Sequence, residues 1–572
     1  MFLNRIIQLV RGRRGPVGPS GNVQSPVIVL VLDGWGIAPL SQGNAISLAK
    51  TPNMSSYLKY FPHGELIAAG ESVGLPAGEA GNSEVGHLTM GAGKPTPQSL
   101  TRINRSVKDG SFHNNAAFLK AVNHVKVNGS KLHLMGMVGS GGVHSSIDHF
   151  YSLIEFCRRN QMSNVFLHLF TDGRDAPPKE ADKVIAELEK ILASARVGKI
   201  ATLAGRYYAM DRDKRWDRTR KAYDAIVLGR GGQAVSAEEA IKSSFAQGVT
   251  DEFIAPVVIM EGGKPVATVD DNDAVIFFNF RIDRPRQLTM AFVLPDFEKI
   301  EGIEVEVAPH EENIPRRKKE LIKGPTFKRE KWPKNLYFVT MTEYHRDFPV
   351  SAIAFPPLVV ENPLPKILSQ SSMKQLCLAE SEKEKMVTFY YNGMRAKGFE
   401  GEDAVIIPSP KVATYDKKPE MSLFKIIDEF KRQIARRYYH FAFVNFANAD
   451  MVAHSGNLKA SIKACEYIDK AVGEFVTVAL QYNATVIISA DHGNAEDLLS
   501  YPNKSFFFTT QEGTTNTEHS ANPVPVLIIN NSLRGKAVTL EKGSLADIAP
   551  TVLGLFGLPV PPEMEGKDLL KQ

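Results

Sequence analysis

The chain opens its patterned region with Pro26 to Leu32, an unbroken run of apolar and largely β-branched residues that stops at Asp33-Gly34-Trp35-Gly36. Such a run has no polar face, so it predicts a strand buried on both sides, as in a parallel sheet, with Asp33 at its carboxyl end. The pattern recurs along the chain. Lys131 to Val138 runs into Gly139-Ser140-Gly141-Gly142-Val143-His144, and Val165 to Phe170 into Thr171-Asp172-Gly173-Arg174-Asp175. Ile200 to Leu203 leads to Gly205-Arg206 and on to Arg212, and Ala274 to Phe280 leads to Arg281-Ile282-Asp283-Arg284. After a strand at Tyr337 to Thr340, the last third repeats the arrangement. Phe441 to Phe446 precedes Asn448-Ala449-Asp450, Ala484 to Ala490 precedes Asp491-His492, and a final strand covers Val524 to Ile529. Helical stretches lie between, one of them around Thr51 to Tyr60. Open α/β sheets bind ligands outside the carboxyl ends of their strands, which is where these charged residues fall.

At 572 residues the chain exceeds one ordinary core and predicts two or three domains. The expected division is a basic, disordered extension over 1–25, a first core segment over 26–97, a second α/β unit over 98–356, and a return to the core over 357–572. Within the second unit, residues 302–335 are polar, dense in Glu, Lys and Arg and without periodicity, which predicts a surface insertion or linker. The Pro-rich crossing from Phe355 to Pro365 suits a hinge. Hydrophobic residues make up 43% and charged residues 23%, a globular composition, and no apolar run reaches the length of a membrane span. A net charge of +5 is too mild for a dedicated nucleic-acid binder but allows a local basic pocket for a small acid. Cys157, Cys377 and Cys465 are far apart and form no metal-spaced pair, which suits a reducing, cytoplasmic compartment. Arg5, Arg11, Arg13 and Arg14 leave organelle import as an alternative.

The heptapeptide Gly81-Asn82-Ser83-Glu84-Val85-Gly86-His87 places a hydroxyl at the start of a helix-like pattern, where free backbone N–H groups favour an anion. A plain N-cap serine is the simpler alternative. Asp450 and His454, at i and i+4, share a helix face and suit two ligands to one metal. With Asp33, Ser83, Asp491, His492 and His519 they make seven oxygen or nitrogen ligands and no thiolate, enough for two ions. That donor set fits manganese, with zinc, cobalt or magnesium as alternatives. Arginines at several strand ends offer bidentate donors for phosphate or carboxylate, and no Gly-x-x-x-x-Gly-Lys-Ser/Thr loop points to an ATPase.

The segments LDGWG, GNSEVGH, GGVHS, FTDGRDAPP, GRYYAMDRDKRWDR, FNFRIDRPRQ, AESEK, IPSPKVATYD, NFANADMVAH, ADHGNAE and LADIAPTVLGLFGLP, in this order, resemble the cofactor-independent (2,3-bisphosphoglycerate-independent) phosphoglycerate mutases from about Pro26 to Leu569. The resemblance implies an alkaline-phosphatase-like, doubly wound α/β core interrupted by an inserted α/β transferase domain. It implies interconversion of 3-phosphoglycerate and 2-phosphoglycerate in glycolysis and gluconeogenesis, without bisphosphoglycerate, by a monomer. Ser83 would be the phosphoserine. One metal site would comprise Asp450, His454 and His519, the other Asp33, Ser83, Asp491 and His492. His144, Arg174, Asp175, Arg206, Arg212, Arg281, Arg284 and Lys383 would meet the substrate, with Asp175 as acid and base and the inserted domain closing against water. Lys383 comes from the resemblance alone, since by spacing it is one lysine in a charged, solvated run. The sequence departs from the family at Gly139, Ser140 and Ser146, where Ser, Asp and His are usual, and at Glu384 and Met386, where an aromatic and a histidine are common. A phosphomonoesterase on the same core and a catalytically silent binding protein are the rival readings.

Overall fold

A computed structural model describes residues 25–300, 326–395, 397–500, 513–536 and 538–571, with the short paired strands Glu304–Glu306 and Lys319–Leu321. The basic segment 1–24 and most of 301–325 lie outside the described residues. The chain divides into two compact units, one built from the chain up to Gln98 together with Leu358–Gln572, the other from Ser99–Pro357.

The first unit is organised on an eight-stranded sheet. Its centre is Val27–Leu32, every residue of which is buried, flanked on either side by the parallel strands Phe441–Phe446 and Thr485–Ser489. Gln375–Glu380 and Glu402–Ile407 extend the parallel part beyond Phe441–Phe446. On the other side Val524–Ile529 runs antiparallel and leads to His63–Ile67 and Gly543–Ser544. Continuous apolar strands demand cover on both faces, and the helices Leu423–Ala435, Leu458–Gln481 and Ile548–Phe556 pack into the same core.

The second unit repeats the logic. Ala352–Phe355, Tyr337–Thr342, Ala274–Phe277, Leu132–Val138, Val165–Thr171 and Lys199–Gly205 lie side by side and parallel, with Val257–Glu261 antiparallel to the last. The strand predicted over Ala274 to Phe280 ends three residues early, because Asn279 turns its side chain to the backbone N–H of Met137. The stretch expected to be a surface linker is otherwise at its described end. Phe327 joins the apolar core, and the buried Arg329 guanidinium pairs with Glu298 and donates to the carbonyls of Ala291, Leu294 and Pro295. Arg329 thereby satisfies the orphan carbonyls at the end of helix Arg286–Val293, a role that lack of periodicity does not reveal.

Two glycines in the first unit are fixed by close approach. Gly34 has φ +72°, and a Cβ there would fall 2.8 Å from the Asp450 backbone. Gly86 sits where a Cβ would meet the Asp491 carbonyl oxygen at 2.4 Å. Gly86→Ala is therefore expected to cost about 1–3 kcal/mol by overpacking, read as a lower urea midpoint with an unchanged slope.

Candidate active site

Because Val27–Leu32, Phe441–Phe446 and Thr485–Ser489 are adjacent and parallel, their carboxyl ends deliver Asp33, Asp450 and Asp491 side by side. Backbone bonds lock the arrangement. Asp33 N–H donates to the Phe446 carbonyl, and Asp450 N–H donates to the Asp33 carbonyl, both at 3.1 Å. All three carboxylates are buried.

Ser83 is brought to them by the helix Ser83–Ala92. The cap of that helix is Asn82, whose side chain accepts from Val85 N–H, so Ser83 is the first helical residue and its hydroxyl is free of capping duty. Ser83 Oγ lies 3.3 Å from Asp33 Oδ1 and 3.0 Å from His492 Nε2. Lys383, far from being solvated, is buried and spends all three ammonium protons here, on Asp33 Oδ1 at 2.7 Å, Asp450 Oδ2 at 2.7 Å and Ser83 Oγ at 2.8 Å. Burial alone would lower the Lys383 ammonium, but Asp33, Asp450 and Asp491 outweigh it and hold its pKa above the usual lysine range.

Three histidines complete the cluster. Each turns Nδ1 to a backbone carbonyl, His454 to Thr517 at 2.9 Å, His519 to Gly81 at 3.0 Å and His492 to Gly493 at 3.2 Å. That fixes Nε2 as the inward atom in every case. His454 Nε2 and His519 Nε2 lie 3.2 and 3.3 Å from Asp450 Oδ1 and 3.2 Å from each other. Ligand atoms of Asp450, His492 and His519, and separately of Asp33, Asp491 and His492, come within 4.8 Å of one another. Asp491 Oδ2 is buried with no hydrogen-bond donor. Inward imidazole nitrogens facing carboxylates, one of them unsatisfied, are a donor set that fits divalent cations. Burial raises the Asp33 carboxyl and Asp491 adds to it, whereas Asp450 is held well below the usual range because Lys383 and the two histidines outweigh its burial.

Sequence reasoning missed the supporting shell. His87 is wholly buried, with Nδ1 2.8 Å from the Ser83 carbonyl and 3.3 Å from Asp491 Oδ2. Asn445 donates to Asp33 Oδ2 at 2.7 Å, and Asn494 to Asp450 Oδ1 at 2.9 Å. A buried Asn in an otherwise apolar strand, Phe441–Phe446, was the available signal for the first.

The second unit gathers most of the other candidates around three aspartates, Asp172, Asp175 and Asp283. Arg206 Nη1 bonds Asp172 Oδ1 at 2.6 Å and Asp175 Oδ2 at 2.5 Å. Asp283, which the pattern did not single out, lies 3.4 Å from His144 Nδ1, accepts from Arg212 at 2.7 Å and sits 3.4 Å from Arg281 Nε. His144 Nε2 faces Asp175 at 3.6 Å. Arg284 donates to the Met210 carbonyl, and Arg174 reaches out to Glu252 at 3.5 Å. Burial would raise Asp175, but the Arg206 hydrogen bond and charge hold it down, so it is a carboxylate. Ser140, at the departure from the family pattern, binds Glu180 through both its N–H, at 2.8 Å, and its hydroxyl, at 2.7 Å.

Fold and clusters together define an α/β protein with a buried serine set among carboxylates, imidazoles and a lysine. A family model described as the BPG-independent PGAM N-terminus matches residues 103–346. The chain is 46% identical over 550 residues to the 2,3-bisphosphoglycerate-independent phosphoglycerate mutase of Chloroflexus aurantiacus, covering 95% of this chain and 98% of that one. It is 43% identical over 548 residues to that of Moorella thermoacetica, covering 96% and 99%. The crystal structure of Leishmania mexicana phosphoglycerate mutase at low cobalt concentration is 29% identical, covers 96% of this chain and 99% of that one, and superposes with a TM-score of 0.58. The chain belongs to the 2,3-bisphosphoglycerate-independent phosphoglycerate mutases.

His144 gives this site a pH signature. Burial, with Arg206, Arg281 and Arg284, pushes its pKa down to about 4 against the pull of Asp283. Its folded value lies below the unfolded value of about 6.5, so its stability contribution is full above that pH and is lost as pH falls towards 4. In a histidine NMR titration the His144 ring is expected to stay neutral through pH 6, with its midpoint moved further down in Asp283→Asn.

Proposed function

We propose that the enzyme interconverts 3-phosphoglycerate and 2-phosphoglycerate through a phosphoserine at Ser83, at a site holding two divalent metal ions and without bisphosphoglycerate. The observation that carries this reading is the convergence of Asp33, His492 and Lys383 on one buried serine hydroxyl, with Asp450 beside Lys383 and Asp491 beside His492. Family membership adds to it. Asp450, His454 and His519 hold one ion, and Asp33, Ser83, Asp491 and His492 the other, with manganese preferred on donor chemistry and magnesium, cobalt and zinc as alternatives. Bound ions of this kind offset charge on phosphoryl oxygens and favour the ionised hydroxyl of a serine ligand.

Ser83 Oγ attacks phosphorus, its bond to the glycerate oxygen breaks, and the phosphoryl group returns from Ser83 to the neighbouring hydroxyl. Lys383 donates to Ser83 Oγ and so steadies the oxygen as it gains charge. Arg174, Arg206, Arg212, Arg281 and Arg284 supply the cationic donors for the acidic substrate, with His144 beside Asp283. When phosphate moves to Ser83 the serine proton passes to the departing glycerate oxygen, and when it moves back the proton of the attacking hydroxyl returns to Ser83 Oγ, with Asp175, a carboxylate, as the carrier in both directions. The resemblance to the family supports a monomer acting in the cytoplasm.

An enolase-coupled assay tests this. Metal-stripped enzyme with 3-phosphoglycerate and no bisphosphoglycerate should be silent, manganese should restore turnover, and Ser83→Ala should lower kcat by at least about a thousandfold. Release of inorganic phosphate without isomerisation would make the protein a phosphomonoesterase instead.

A further inference from the structure

Lys383 reaches the carboxylates from a single turn, Ser381–Lys383, that follows the strand Gln375–Glu380. A lysine side chain has four rotatable bonds, so placing its ammonium depends on how firmly that turn is held. Each of the three residues before Lys383 is tied to one segment, 408–422. Glu380 Oε1 accepts from Ser422 N–H at 2.8 Å, Ser381 Oγ accepts from Ser409 N–H at 3.0 Å, and Glu382 Oε1 accepts from Tyr415 O–H at 2.7 Å. Ser422 Oγ donates to the Pro408 carbonyl at 2.8 Å and draws the two ends of the segment together. The same segment grips the helix Asn448–Ala453, which carries Asp450. Asn448 donates to the Pro419 carbonyl at 2.8 Å, Asn457 reaches Asp416 at 3.3 Å, and Tyr415 packs on Val452, Ala460 and Ala464.

Among these ties Glu380 stands out, because it is a fully buried carboxyl with no cation bonded to it. Its Oε2 has no hydrogen-bond partner, and neither has the buried hydroxyl of Ser409 beside it. Burying such a group is costly unless it does something the fold needs.

We infer that Glu380 is a positioning residue, which with segment 408–422 fixes the turn that presents Lys383 to Ser83, Asp33 and Asp450. The inference rests on the role given to Lys383 above. Burial pushes the Glu380 carboxyl up to about 7, and Glu382 adds to this, while the Ser422 amide, the Ser409 hydroxyl and Lys425 oppose it. The Ser409 hydroxyl beside it can donate to the ionised carboxyl or accept from the neutral one. The folded value exceeds the unfolded one of about 4.3, so the neutral carboxyl's advantage is full below that pH and is lost as pH rises through 7. Glutamine keeps the acceptor for Ser422, offers a permanent donor to Ser409 and never ionises.

The test measures kcat, KM and thermal midpoint on the manganese-loaded enzyme from pH 5.5 to 8.5, for Glu380→Ala, Glu380→Gln, Lys383→Ala and the core control Ile427→Ala. Glu380→Ala is expected to lower kcat at least about tenfold with KM within about threefold, as a misplaced catalytic group does. Glu380→Gln should restore kcat to within about threefold and flatten the part of the wild-type profile centred near pH 7. Ile427→Ala should lower the thermal midpoint and leave kcat at 25 °C intact. Wild-type kcat in Glu380→Ala, or a glutamine variant as impaired as the alanine one, overturns the inference. If Lys383→Ala is inactive while Glu380→Ala is normal, only the positioning role falls. Full activity in Lys383→Ala removes the Lys383 reading and this inference together.

Discussion

Three aspartates held at the ends of adjacent parallel strands, all out of water, set the terms for the rest of the first unit. Like charges at this range repel by several kcal/mol at an effective dielectric of about 20, and a buried carboxylate without a counter-charge is more costly still. Everything around them supplies positive charge or hydrogen-bond donors. Lys383 spans Asp33 and Asp450, His454 and His519 face Asp450, and His87 and His492 stand by Asp491. With Nδ1 of His454, His519 and His492 turned to carbonyls, each Nε2 faces the carboxylates. Burial would pull His454 down, yet Asp450 lifts it to about 9. The cluster thus presents buried carboxylate charge that favours cations.

The arginines of the second unit obey the same rule from the opposite side. Arg206 is buried and shared between Asp172 and Asp175, and Arg212 is held by Asp283. An anion approaching these guanidinium groups would compete with carboxylates already in place. Such pre-pairing lowers the affinity for anions in general and keeps the guanidinium planes oriented for one that can bind several of them at once. His144 between Asp283 and Asp175 is oriented by the same pair.

Much of this was legible from the chain because parallel strands announce themselves as unbroken apolar runs and place their chemistry at one end. Asp33 and Arg206 follow such runs directly, and Asp450, Asp491 and Arg281 come within about four residues of theirs. What stayed hidden depends on which strands become neighbours. Lys383 looks solvated because its flanking Ser381, Glu382, Glu384 and Lys385 are exposed, and only the ties to 408–422 turn its side chain inward. Asn445 and His87 read as anomalies in apolar surroundings, and Asp283 as one charge among several in Arg281 to Arg284. Arg329 was misjudged for a related reason. Its partners are backbone carbonyls at a helix end, which no side-chain pattern encodes.

The placement of Ser83 follows from a division of labour with its neighbour. A serine that caps a helix has its oxygen committed to a backbone N–H, which would compete with attack on phosphorus. Asn82 takes the capping bond to Val85, which leaves Ser83 Oγ to Asp33, His492 and Lys383. One turn further on, Gly86 lets the helix approach the Asp491 backbone closely, and His87 Nδ1 meets the Ser83 carbonyl. The heptapeptide therefore acts as a unit. Its asparagine caps, its serine faces the carboxylate cluster, its second glycine sets the depth of the helix, and its histidine lies between that helix and Asp491.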